Sequence, residues 1–175
     1  TFYTVPAPGE FGHDTWPQDN EAWRHGGATV WQTPAVDPEL GLIYFTTGNP
    51  GPDFNGRIRA GNNLFSTSMV ALDARTGHYR WHFQQIHHDL WDYDGPSPVV
   101  LFYVRINGRL RKAAAVAHKA VWVYILDPPD GKPLIGTYEQ PVHPEPRQAT
   151  PPPQPFPPAD AFRAPSASVP PQGRP

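Results

Sequence analysis

The sequence predicts an all-β fold assembled from β-propeller blades, and three observations predict it. Short β-branched or aromatic segments recur along the chain. Helical periodicity of 3.6 is hard to find, because Gly or Pro interrupts most windows. A turn motif, hydrophobic-Asp-x-x-x-Gly, occurs twice at blade-like spacing.

The strand-like segments are 42–47, 67–73, 79–84, 99–104, 113–117 and 121–126, each short and bounded by turn residues. That pattern fits a sandwich, a barrel or a propeller, and the repeat separates them. Leu72-Asp73-Ala74-Arg75-Thr76-Gly77 leads to Trp81, and Leu126-Asp127-Pro128-Pro129-Asp130-Gly131 leads to Ile135 at the same offset. Asp73 and Asp127 lie 54 positions apart, a separation that holds about four strands. The Asp is placed to cap the turn and the Gly to take the positive φ, with Trp81 or Ile135 lodged between neighbouring blades. The plainer alternative is an ordinary hairpin turn without any repeat.

Composition narrows the class further. Net charge is −2 and pI about 6.4, which gives no electrostatic footprint for a nucleic acid or an anionic membrane surface. No apolar run approaches the roughly 20 residues of a membrane span. Cysteine is absent, which excludes disulfides, Cys-based zinc sites and a Cys-x-x-Cys-His haem site within this stretch. Of 25 prolines, 13 fall in 141–175, so the chain divides into a β portion, 1–140, and a proline-rich connector, 141–175, expected to be irregular. Phe156 and Phe162 are its candidate anchors, and the Pro151-Pro152-Pro153, Pro157-Pro158 and Pro170-Pro171 runs favour extended polyproline geometry. The opening Thr1-Phe2-Tyr3, with no Met and no signal-like segment, reads as the start of an excerpt.

The densest chemistry is in Trp81-His82-Phe83-Gln84-Gln85-Ile86-His87-His88-Asp89-Leu90-Trp91-Asp92-Tyr93-Asp94, ahead of Gly95-Pro96. The residues alone leave three readings: a transition-metal site on His87 and His88, an acid/base centre, or a loop in which Asp92 or Asp94 caps the Gly95-Pro96 turn.

Four motifs in the same order carry a resemblance. Asp73-Ala74-Arg75-Thr76-Gly77 with Trp81, Thr47-Gly48-Asn49-Pro50, Gly26-Gly27-Ala28-Thr29-Val30-Trp31 and His88-Asp89-Leu90-Trp91-Asp92-Tyr93 together resemble pyrroloquinoline quinone (PQQ)-dependent dehydrogenases. These are eight-bladed propellers that oxidise alcohols, polyols or sugars. The resemblance runs from Thr1 to about Pro158 and implies about two of the eight blades.

The resemblance also implies roles. Asp92 matches the base that takes the substrate's hydroxyl proton as hydride leaves carbon. Asn49 matches a ligand of the active-site cation, Ca²⁺ or a lanthanide, for which an amide oxygen is a suitable hard donor; otherwise it is a turn Asn before Pro50. Asp92 and Asp94 join it as carboxylate ligands. Thr29 and Trp31 match cofactor contacts, the indole serving as the flat floor under the tricyclic quinone; otherwise Trp31 is a core residue. Lys119 matches the cation facing the quinone oxygens, or else is a surface lysine. Asn49, Asp92 and Lys119 each fall near a strand end. Within the resemblance, His87 and His88 belong to the active-site loop, shaping the substrate entrance or holding the Asp92 loop, and do not hold the cation.

Two departures keep substrate and metal open. Lys119 stands where methanol-type enzymes carry Arg, and His87-His88-Asp89-Leu90-Trp91-Asp92 looks like the sugar and polyol branch. Asp94, two after Asp92, is associated with lanthanide use in alcohol-oxidising relatives, although sugar-type relatives carry it too. The expected parent is a periplasmic dehydrogenase, membrane-associated if at all through other parts, that passes electrons to a quinone or a cytochrome. The family's Glu cation ligand, cofactor-binding Arg and paired cysteines are expected outside this chain, so the excerpt alone is expected to be inactive. The rival is a non-catalytic propeller scaffold, which needs only the blade motifs.

Overall fold

A computed structural model of the chain describes residues 1–143, 147–148 and 153–158. Alternating side chains make the core. Leu42 and Tyr44, Met69 and Ala71, Ala114 and Val116, and Tyr124 and Leu126 are pairs two residues apart on their strands, and all eight are buried in one cluster with Trp81 and Val99. That periodicity builds two sheets with their apolar faces together. The first is four-stranded and antiparallel, β1 (Ala35–Asp37), β2 (Leu42–Thr46), β3 (Ser68–Asp73) and β4 (Tyr79–Gln84) in sequential order. The second is three-stranded, β5 (Val100–Ile106), β6 (Arg109–Ala117) and β7 (Val123–Leu126).

The repeated turns form as expected. Asp73 Oδ1 accepts the backbone N–H groups of Arg75 (3.1 Å) and Thr76 (2.8 Å), and Gly77 N–H donates to the Asp73 carbonyl at 2.8 Å. In the second copy Gly131 N–H donates to the Asp127 carbonyl, also at 2.8 Å, and both glycines sit at φ 72°. A third copy escaped the sequence reading: Asp37 Oδ1 takes Glu39 and Leu40 N–H, and Gly41 has φ 64°. Trp81 does lodge between the sheets, its Nε1 donating to the Pro128 carbonyl at 2.9 Å beside Tyr44 Oη at 3.2 Å. Lys112 adds an ionic tie, reaching the fully buried Asp37 at 2.7 Å and Glu39 at 2.8 Å.

The two glycines of the repeat separate backbone strain from packing. A Cβ on Gly77 meets nothing within 4 Å, whereas one on Gly131 lies 2.4 Å from Trp81 Cε3. Gly77→Ala is expected to cost about 1–2 kcal/mol from its left-handed φ alone. Gly131→Ala adds about 1–3 kcal/mol of overpacking against the indole. Urea unfolding of both variants checks this; equal losses would remove Trp81 from the junction between sheets.

Strand register decides where the loops go. Thr46 pairs with Met69 and Ser68 with Gln84, so the β2–β3 and β4–β5 connections leave from one end, together with the chain before β1. Ala117 pairs with Val123 and Val100 with Ala115, which makes 118–122 the connection at that end of the second sheet. The Asp-Gly turns occupy the opposite end.

The stretch expected to be irregular contributes one ordered strap. Its strand β9 (Gln154–Phe156) pairs with β8 (Tyr138–Gln140), Glu139 opposite Pro155. A two-stranded edge tolerates the proline because Pro155 need not donate. Phe156 anchors the strap against Trp122, edge to face at 5.9 Å, and against Tyr138 at 6.3 Å. Phe162, Pro151-Pro152 and Pro170-Pro171 lie outside the described residues. Among the described residues, no helix is long and apolar enough to cross a membrane.

Candidate active site

At the loop end, Lys119 gathers the two carboxylates of the 85–95 loop. Its Nζ donates to Asp94 Oδ2 at 2.5 Å, to the Asp92 carbonyl at 2.8 Å and to Asp92 Oδ2 at 3.4 Å. The hydrogen bond that Lys119 donates to Asp94 raises the lysine's pKa above its ordinary value, against the opposing effect of burial, and keeps the ammonium charged. Asp94 continues the chain of contacts, its Oδ1 accepting the Asn49 N–H at 2.9 Å. Thr29 is tied in through its neighbour, since Gly48 N–H donates to the Thr29 carbonyl at 3.0 Å. A Cβ on Gly48 would lie 2.9 Å from Asp94 Oδ1 and 3.2 Å from Thr29 Oγ1, so only glycine admits both.

Five of the six residues singled out in the sequence therefore converge: Thr29, Asn49, Asp92, Asp94 and Lys119. Trp31 stands apart, its indole 55 % exposed at the same end of the sheets. The turn-cap reading of Asp92 and Asp94 gives way, because Asp94 spends both oxygens on Lys119 and Asn49 while Gly95 is held by Thr47 and Thr46 backbone and hydroxyl groups. The capping carboxylate of the loop is Asp89. It is fully buried, Oδ1 accepting Trp91 N–H at 2.8 Å and Oδ2 accepting Tyr93 N–H at 2.7 Å. Those two bonds bracket Asp92 and hold it at φ 59°, a left-handed conformation that Asp tolerates better than most residues.

Two loop histidines point apart. His88 Nδ1 bonds the Gly61 carbonyl at 2.7 Å, whereas His87 Nδ1 bonds Gln84 Oε1 at 2.7 Å and its backbone faces the strap. Arg59 was missed in the sequence. It is completely buried, donating to Pro52 O (2.9 Å), Asp53 O (2.8 Å), Asn63 Oδ1 (2.9 Å) and Asp89 O (2.5 Å). Burial lowers its pKa to about 10, partly offset by Asp89 and Asp53, and it stays charged while locking the Asn49 loop to the Asp92 loop. Its acceptors are mostly backbone carbonyls, which leave no side-chain pattern to read.

The donor set suits a hard cation. Asn49 commits its amide nitrogen to Asp53 Oδ1 (2.6 Å) and Pro50 O (3.2 Å), which leaves the amide oxygen for a cation. Carboxylates at Asp92 and Asp94 supply further oxygen donors of the same hard type. Among the described residues no group of three His, Cys, Asp or Glu converges on one point.

Burial sets the acid behaviour of the fold. His82 and His118 are both pushed down to about 4 by burial, and Asp89 is pushed up to about 6 by burial. Below pH 6.5 the unfolded chain protonates imidazoles that the folded chain keeps neutral, so their contribution is lost as pH falls toward 4. Asp89 works oppositely, since the folded state takes its proton first and gains as pH falls through 6. Burial also lowers the pKa of His88, so three imidazoles outweigh one carboxylate. Stability is expected to fall between pH 6.5 and 4 with a slope up to about 1.4 kcal/mol per pH unit for each uncompensated proton. His118→Asn should flatten it, read from urea midpoints against pH; an unaltered slope would place the effect elsewhere.

The family model PQQ, described as "Glucose/ethanol/alcohol dehydrogenase, beta-propeller domain", matches residues 1–171. The chain is 44 % identical over 128 residues to quinoprotein alcohol dehydrogenase PedH of Pseudomonas putida, covering 73 % of this chain and 21 % of that protein. It is 38 % identical over 122 residues to the quinohemoprotein alcohol dehydrogenase of Comamonas testosteroni, covering 67 % and 17 %. The crystal structure of a Comamonas testosteroni quinohemoprotein alcohol dehydrogenase superimposes with a TM-score of 0.68 at 32 % identity, over 84 % of this chain and 22 % of that one. A europium-containing methanol dehydrogenase superimposes with a TM-score of 0.67 at 29 % identity, over 88 % and 26 %. This all-β chain belongs to the PQQ-dependent dehydrogenase propeller family. It spans about a fifth of the length of the curated relatives it matches.

Proposed function

We propose that the chain forms part of the catalytic face of a PQQ-dependent dehydrogenase that oxidises alcohols, with Asp92 as the base. The observation that carries this is the Lys119 ammonium held between Asp92 and Asp94, with Asn49 joined to the same cluster through Asp94. Blade packing alone requires none of these contacts, which separates the reading from a non-catalytic scaffold.

Trp31, Thr29 and Lys119 are the residues to hold the quinone, and Asn49, Asp92 and Asp94 those to hold the cation. A bound quinone supplies the hydride acceptor and a bound cation the Lewis acid. Asp92 accepts the hydroxyl proton at its carboxylate as the hydride leaves the substrate carbon. Lys119 supplies a fixed positive charge beside the reacting groups, and Asp94 fixes Lys119. Asp89 and Arg59 hold the loop so that Asp92 needs no reorganisation. A quinone or cytochrome as electron acceptor and a periplasmic location complete the proposal. Turnover of Asp92→Asn in the complete protein, set against its cofactor binding, tests it.

A further inference from the structure

The turn that carries Lys119 is strained. Residues 118–122 connect β6 to β7, with His118 N–H donating to the Trp122 carbonyl at 2.9 Å and Val121 N–H donating to the His118 carbonyl at 3.0 Å. Val121 takes φ 61°, a left-handed value that a β-branched residue adopts only under constraint. Its side chain is exposed, so burial of the valine does little to offset that conformation. Support has to come from outside the turn's own backbone.

His118 is built to give it. The imidazole is buried, and its Nδ1 accepts the Ala120 N–H at 3.1 Å, the bond to the second residue on that an Asn or Asp side chain makes in a turn. An accepting Nδ1 leaves the ring proton on Nε2, and burial keeps the imidazole neutral near pH 7. The ring meets Tyr93 edge to face at 6.1 Å and Tyr124 edge to face at 6.2 Å. Tyr93 lies between Asp92 and Asp94 in the chain, and Tyr124 is buried on β7. One side chain therefore ties the Lys119 turn to the loop that carries both carboxylates and to the core strand beside it.

We propose that His118 is a positioning residue, which holds the strained 118–122 turn so that the Lys119 ammonium reaches Asp92 and Asp94. The inference rests on the reading of Lys119 as the positive charge beside the reacting groups. A lysine side chain is long and flexible, so its Nζ keeps one place only if the backbone that carries it and the carboxylates that receive it are both fixed. Asp89 fixes the carboxylate side through Trp91 and Tyr93 N–H, and His118 fixes the lysine side. A shift of about 1 Å at a group beside the chemistry lowers turnover by ~10²-fold.

The test uses the complete PQQ-loaded enzyme. His118→Phe keeps a ring between the two tyrosines but offers Ala120 N–H no acceptor, whereas His118→Asn keeps an acceptor oxygen. His118→Phe is expected to lower kcat by ~10–100-fold with KM changed by less than about 3-fold, and His118→Asn to keep kcat within about 3-fold of wild type. In a Lys119→Ala background His118→Phe should cost less than about 2-fold more, because no ammonium is left to position. A second readout is independent of turnover: acylation of Lys119 by acetic anhydride, followed by peptide mass spectrometry, should be faster in His118→Phe than in the wild type and unchanged in His118→Asn. Where His118→Phe yields no folded enzyme, His118→Ala runs the same cycle. Losses that multiply in the Lys119→Ala background, equal losses in His118→Phe and His118→Asn, or unaltered acylation would overturn the inference. Wild-type turnover in Lys119→Ala would instead remove the reading of Lys119, and faster acylation in His118→Phe would still keep His118 as the residue that fixes the turn.

Discussion

Asp92→Asn in the complete enzyme is expected to lower alcohol turnover by ~10²–10⁴-fold, the usual worth of a positioned base. Shape changes little in this substitution. Asn tolerates the left-handed φ of 59° as Asp does, and the shorter Lys119 contact, 2.8 Å, goes to the backbone carbonyl of residue 92. The brackets on either side, Trp91 N–H and Tyr93 N–H to Asp89, do not involve the substituted side chain. What the amide lacks is the ability to take a proton near neutral pH. Steady-state kinetics and cofactor titration on the same preparation separate the two effects. Turnover near the wild-type level would exclude Asp92 from proton transfer, whereas loss of quinone binding would make it a structural residue of the cofactor pocket.

The parts of this fold that were legible in the sequence are those where side-chain chemistry and strand period agree. Segments such as Leu42–Thr46 and Val123–Leu126 are short runs of β-branched and aromatic residues, and each forms the strand its composition predicts. Strands β1, β8 and β9 were not legible. Each has three residues, Pro38 closely follows the first, and Pro155 sits within the last, so local propensity opposes what tertiary pairing imposes. The third Asp-Gly turn was present in the letters Asp37 to Gly41. It stands only 36 positions before Asp73, which breaks the 54-residue spacing and hid it.

Within the site, legibility followed the same division. Asn49 and Asp92 were legible in motifs with recognisable order, Asp94 and Lys119 only through the resemblance those motifs carry, and the four come together. The framework that holds them was harder to see. Arg59 bonds mainly to backbone carbonyls supplied by two loops, and Asp89 bonds to backbone N–H groups, so their partners have no residue identity in the sequence. Such groups become visible only once the loops are folded against each other.

Asp94 is the residue whose replacement should have the most specific consequence for the metal. Asp92 and Asp94 are i and i+2, and both reach the Lys119 ammonium, so their carboxylates share one space. Two nearby carboxylates repel, and an ion of higher charge offsets that repulsion better than Ca²⁺. A europium-containing methanol dehydrogenase shares this fold. Each Asp94 oxygen already accepts one protein hydrogen bond, yet a carboxylate oxygen keeps a further lone pair for a cation. Asp94→Ala in the reconstituted enzyme is therefore expected to shift the ratio of lanthanide-supported to Ca²⁺-supported activity toward Ca²⁺ by on the order of 10–100-fold. Alanine also strips Asn49 N–H of its acceptor, at about 1–3 kcal/mol if that group stays dry. Asp94→Asn removes the charge but keeps one acceptor oxygen, which can still take the Asn49 N–H, while its amide nitrogen cannot accept from Lys119. A shift toward Ca²⁺ in both variants identifies charge as the selector; an unchanged ratio in both assigns Asp94 to holding Lys119 and Asn49 alone.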